Sequence, residues 1–140
     1  MSAAEHKALK RRIALAIGQL SFARAFVRET GQGRTGGRRS AARVIATGEV
    51  VDTYVGETTI RFGVVGGADV EAFVAPLGRH VEIEAKTGAG RQSPEQKMFA
   101  GAVEPFGVLY IVARTVEEAV EAVTQAHQED TALVERARHK

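Results

Sequence analysis

The chain contains no cysteine. Disulfides and thiolate zinc sites are therefore excluded, and the absence fits a cytoplasmic protein. No apolar run approaches the ~20 residues of a membrane span. The opening MSAAEHKALKRR is not followed by an uninterrupted apolar stretch, so no signal peptide is expected. Walker, HExxH and GxSxG signatures are all missing. The four histidines, His6, His80, His127 and His139, have no metal-ligand spacing, and the expectation is that none belongs to a site.

What is present is an ordinary globular composition: 140 residues, 44% hydrophobic and 26% charged. That length predicts a single domain able to bury a sizeable core. The net charge of +2 conceals an asymmetry. Residues 1–43 hold ten Lys/Arg and two acids (Glu5 and Glu29), whereas the remainder holds nine basic and fifteen acidic residues. A basic segment beside an acidic one points to a polyanion partner on one face, although a solvated basic helix followed by a loop explains it equally well.

Helical spacing of Leu9, Ile13, Ile17 and Leu20 predicts an amphipathic helix over 3–20. A short strand is expected at 23–29. Four glycines in GQGRTGGRRS predict a basic loop at about 31–43. The Val-, Thr- and Ile-rich runs 49–55 and 58–65, separated by Gly56-Glu57, predict a hairpin. Strands follow at 69–75 and 80–86, joined around Pro76–Gly78. Ser93-Pro94-Glu95-Gln96 is a helix start with a capping box, and that helix should run to about Glu104. Val108–Ala113 is a continuous apolar run and should be a strand buried on both faces. Thr115 and Glu118 predict a second capping box opening a last helix, with Val116, Ala119, Val120 and Val123 on one face; residues 129–140 either extend it or fray. The fold class expected is α/β, a mixed central β-sheet flanked by helices. The link from 80–86 through the Ser93 helix is long enough for a parallel crossover.

Alternation along Val81–Lys86 puts Glu82, Glu84 and Lys86 on one strand face. Asp69, after Gly66-Gly67, can approach Glu84 if the two strands are neighbours. Two carboxylates suit a hard divalent cation, and the Ala85 carbonyl offers a further oxygen. A cation there would polarise a phosphate, and Lys86 would position a water or stabilise developing charge. Taken singly, Glu-x-Lys is a common exposed strand pattern, and Asp69 an ordinary turn residue.

Taken together, Gly67-Ala68-Asp69, Glu84-Ala85-Lys86, Ser93-Pro94-Glu95-Gln96 and Gly107 stand in the order of a known pattern. Residues 60–115 resemble a VRR-NUC domain, a branch of the PD-(D/E)XK, restriction-endonuclease-like nucleases. The resemblance implies a restriction-endonuclease-like core, with Asp69 and Glu84 as metal ligands, Lys86 as catalytic lysine and Gln96 as accessory residue. It also matches an early helical acid to Glu5 and an Arg-x-x-x-Gly element to Arg28–Gln32. It implies magnesium or manganese as cofactor. It further implies a homodimer acting on branched DNA such as four-way (Holliday) junctions, of the stand-alone type carried by phages or bacteria.

Other roles stand beside these. Gln96 closes a capping box, serves the site, or does both. Glu5 is either a ligand or a negative charge favoured in a helix's first turn. Glu82 is expected to be an exposed charge. Arg28, Arg34, Arg38, Arg39 and Arg91 are candidate phosphate contacts, and each is otherwise a solvated arginine. Gly31-Gln-Gly33-Arg-Thr-Gly36 spells GxGxxG, but Arg28-Glu29-Thr30 stands where a dinucleotide fold needs a buried strand, so no nucleotide cofactor is expected. The function expected is a divalent-metal-dependent endodeoxyribonuclease; the alternative is a non-catalytic DNA-binding module keeping the same fold.

Overall fold

A computed structural model describes residues 2–28 and 65–140 in full, and the strands between 31 and 62 by their backbone pairing. The chain divides into two compact units, Met1–Glu29 with Val64–Lys140, and Thr30–Gly63. In sequence the second is inserted into the first.

The larger unit is mixed α/β. Helix α1 (Ala3–Gly18) begins where Ser2 and Glu5 exchange a reciprocal cap. Strands β1 (Ala23–Val27), β6 (Val70–Val74), β7 (Arg79–Ala85) and β8 (Leu109–Ala113) form one sheet in the order β1-β6-β7-β8. The first two pairings are antiparallel, and β7 runs parallel to β8. The crossover between them carries α2 (Pro94–Val103), a short 3₁₀ turn (Glu104–Phe106) and Gly107. Gly107 sits at φ 89°, a left-handed conformation that suits a residue without Cβ. Helix α3 (Val116–Arg138) closes the unit.

Strand alternation sorts the sheet into two faces. Val70, Ala72, Val74, Val81, Ile83, Ala85 and Ala113 join Leu9, Ile13 and Ile17 of α1 and Ala119 and Val123 of α3 in the main core. A smaller cluster of Ala68, Ala100, Tyr110 and Phe99 joins α2 to the opposite face. That second face carries Glu71, His80, Glu82 and Glu84, so polar chemistry is held on an otherwise apolar scaffold.

Several expectations are corrected. The segment read as a basic loop at 31–43 contains β2 (Gly31–Thr35) and β3 (Arg38–Arg43). The predicted hairpin strands exist as β4 (Val50–Val55) and β5 (Thr58–Phe62), but they do not pair with each other. Instead β4 pairs with β3 and β5 with β2. Strand formation depends on a partner ladder that glycine-rich local composition does not reveal. Strand β8 is only half-buried at Leu109, Ile111 and Val112, because it ends the order of the described sheet. At α3, Thr115 caps the Glu118 N–H as expected, but the Glu118 carboxylate reaches one residue further back and accepts from the Arg114 N–H at 2.6 Å. Residues 129–138 extend α3, and Arg136 and Arg138 in its last turn complement the helix dipole.

Candidate metal centre

The site lies where β6 begins and β7 ends. Gly66 adopts φ 81°, and a Cβ there would lie 2.3 Å from the Glu95 carbonyl oxygen. Only glycine allows the turn before β6 to press against the start of α2. Asp69 follows, anchored at both ends of its residue. Its carbonyl accepts from the Arg28 N–H at 2.7 Å, and its Oδ2 accepts from the Ala85 N–H at 3.1 Å. The antiparallel register of β6 and β7 therefore brings Asp69 beside Glu84 and Ala85.

Glu84 is 4% exposed, and its Oε1 lies 3.1 Å from Lys86 Nζ. Gln96 does two things at once. Its Oε1 accepts from the Ser93 N–H at 2.9 Å, completing the cap of α2, and its side chain also lies near enough to Glu84 to lower that carboxyl's pKa. Burial pushes the Glu84 carboxyl above the usual range, and the charge of Asp69 pushes it further; Lys86 and Gln96 oppose the shift. Tyr110, behind the acids, donates to the Gly66 carbonyl at 3.3 Å, and burial together with Glu84, Glu82 and Asp69 raises its pKa.

His6 is the residue that sequence reasoning set aside. Its Nε2 stands 3.1 Å from Asp69 Oδ2 and 3.0 Å from the Ala85 carbonyl oxygen. Both neighbours are acceptors, so in this arrangement Nε2 carries the proton. One ligand atom each from His6, Asp69 and Glu84 lies within 4.8 Å of the others. A signal was available in the helix. At about 100° per residue, His6 falls at the centre of the face formed by Leu9, Lys10, Ile13 and Ile17, and Glu5 lies roughly 100° away. Glu5 accordingly is exposed, caps α1 with Ser2, and does not join the cluster.

The donor set fits a hard divalent cation. Two carboxylates and a backbone carbonyl supply oxygens, and two ligands on a common magnesium at about 2.1 Å each stand up to about 4.2 Å apart. Closure by about half an ångström would bring the three side chains into shared coordination. The imidazole tilts preference toward manganese, since nitrogen ligands suit transition metals better than magnesium. Ligation by His6 through Nε2 requires the tautomer with its proton on Nδ1.

Arg28 is not directed at a phosphate. Its Nη1 donates to both oxygens of Glu82 at 2.8 Å and its Nη2 donates to Glu71 at 2.6 Å. Burial opposes its charge, but Glu82 and then Glu71 more than offset that, and its pKa is raised. Glu82, expected to be exposed, is 1% exposed and held by this pair. Arg91 is exposed on the glycine-rich turn after β7, whose Gly88 and Gly90 carbonyls accept from Arg114. Arg34, Arg38 and Arg39 belong to the strands of the inserted unit.

A stability consequence follows for the metal-free protein. A carboxyl raised above its unfolded value binds more protons in the folded state between the two pKa values. Stability then falls as pH rises through that window and is highest below it. Glu84→Gln should therefore raise the Tm of metal-free protein by a few degrees at neutral pH, with the gain shrinking near the ordinary glutamate pKa of about 4.3. Thermal melts across pH in EDTA check this; an unchanged or lowered Tm at neutral pH would contradict it.

No family model, curated protein or solved structure matches this chain.

Proposed function

We propose that the protein is a divalent-metal-dependent endonuclease that hydrolyses phosphodiester bonds in DNA, with four-way or other branched DNA as preferred substrate and a homodimer as the acting form. The observation that carries this reading is the meeting of His6, Asp69 and Glu84 ligand atoms within 4.8 Å, with Lys86 Nζ 3.1 Å from Glu84. The resemblance to VRR-NUC domains supports it through the same Asp69, Glu84, Lys86 and Gln96.

Asp69, Glu84, the Ala85 carbonyl and His6 would hold magnesium or manganese. When bound, the cation supplies Lewis acidity toward a phosphate oxygen and acidifies a water. The protein's own groups do the rest. The Ala85 N–H keeps Asp69 Oδ2 aimed at Glu84. Lys86 Nζ, 3.1 Å from Glu84 Oε1, would help to orient the carboxylate before any substrate arrives. Lys86 places an ammonium where charge grows on the attacked phosphorus, and its partial exposure lets it meet a substrate.

Cleavage of labelled four-way junction and linear duplex is the test. Cutting should appear with magnesium or manganese and vanish in EDTA. Tight junction binding with no cutting in any divalent metal would replace the nuclease by a DNA-binding module.

A further inference from the structure

The inserted unit contains two antiparallel ladders. One runs from Gly31↔Phe62 to Thr35↔Thr58, the other from Arg38↔Val55 to Arg43↔Val50. In every pair of both ladders the residue numbers sum to 93. The two ladders are therefore numbered in one common register.

We infer that the two ladders of this unit, Gly31–Thr35 with Thr58–Phe62 and Arg38–Arg43 with Val50–Val55, enter a groove of B-form duplex DNA. The inference rests on the nucleic-acid reading above and names the part of the substrate this unit holds. Charge is the first argument. The outgoing strand segments contain Arg34, Arg38, Arg39 and Arg43 and no acid. Their register partners are Thr59, Val55, Tyr54 and Val50, so none of the four stands directly across from a carboxylate. Residues 31–62 hold three acids, Glu49, Asp52 and Glu57, against five arginines. A strand this basic, with no directly opposed acids, suits phosphates.

Dimensions are the second argument. The two ladders are five and six residues long, about 17 Å and 20 Å at about 3.3 Å per residue, so each is comparable with half a turn of B-DNA, about 34 Å per turn. The major groove of B-DNA, about 12 Å wide, admits a two-stranded ribbon, whereas the major groove of A-form RNA is too deep and narrow. The partner is therefore duplex DNA in preference to duplex RNA.

Two full-length variants test this in EDTA, where cutting plays no part. Ser40 and Thr53 are register partners in a chain without cysteine. Ser40→Cys with Thr53→Cys should form a disulfide on mild oxidation of the native protein and keep DNA affinity; failure to cross-link overturns the ladder. Arg38→Gln, Arg39→Gln and Arg43→Gln combined should weaken binding to a DNA duplex by about tenfold or more and lower the slope of log K against log salt by about three. The wild type should bind a DNA duplex better than an RNA duplex of the same sequence. Unchanged DNA affinity, equal RNA affinity, or loss of self-association with DNA affinity intact would each overturn the proposal. Manganese binding by the triple variant should stay at the wild-type level. A protein that never cuts yet passes these tests would lose the nuclease reading alone.

Discussion

Replacing Lys86 by alanine should slow DNA cutting by about 10³-fold or more while junction affinity, measured in calcium or EDTA, changes by less than about twofold. The Lys86 backbone is anchored apart from its side chain, through its N–H to the Ala113 carbonyl at 3.0 Å. Its side chain is about a fifth exposed and touches Glu84. What disappears is the ammonium beside the carboxylates. Losing it also removes one of the two groups that hold the Glu84 pKa down. Lys86→Arg retains charge but not shape, and should recover only part of the rate. Single-turnover cleavage with saturating manganese separates chemistry from metal loss. Wild-type rates in Lys86→Ala would remove the lysine from the site.

Arg28→Ala should cost about 3–5 kcal/mol of folding stability, read as a lowered urea midpoint. The variant leaves Glu82, 1% exposed, without its bidentate partner in the sheet, and strips Glu71 of the same guanidinium. His80 stands 3.4 Å from Glu71 and 3.9 Å from Glu82. Arg28→Met combined with Glu82→Leu should recover much of the loss, because an apolar pair of similar volume avoids burying an unpaired charge. If Arg28 were a phosphate contact, Arg28→Ala would instead lower DNA affinity at nearly constant stability. That outcome would contradict the placement of the guanidinium on Glu82 and Glu71.

Much of the core unit was legible because its signals are local. Ser93 with Pro94 and Gln96 marks a helix start by chemistry that acts within one turn. Alternation in Val81–Lys86 sorted Ile83 and Ala85 into the core and Glu82 and Glu84 onto the other face. Glu82 and Arg28 were misjudged for the opposite reason. Which partner a charge meets across 54 residues depends on the pairing of β1, β6 and β7, and no spacing encodes that. His6 was passed over because a histidine without ligand spacing looks idle. Its position on the buried stripe of α1 was the readable clue, and its partners come from residues 63 and 79 positions away. The inserted strands were hidden by glycine, which weakens local strand preference while leaving the backbone free to pair. Their common register became apparent only from the ladders themselves.

Crystals soaked in manganese and measured at its absorption edge address the cation directly. An anomalous peak is expected about 2.1–2.2 Å from oxygens of Asp69 and Glu84, beside the Ala85 carbonyl and His6, and it should vanish in Asp69→Asn. Well-ordered crystals with strong manganese peaks elsewhere and none between these two carboxylates would contradict the account.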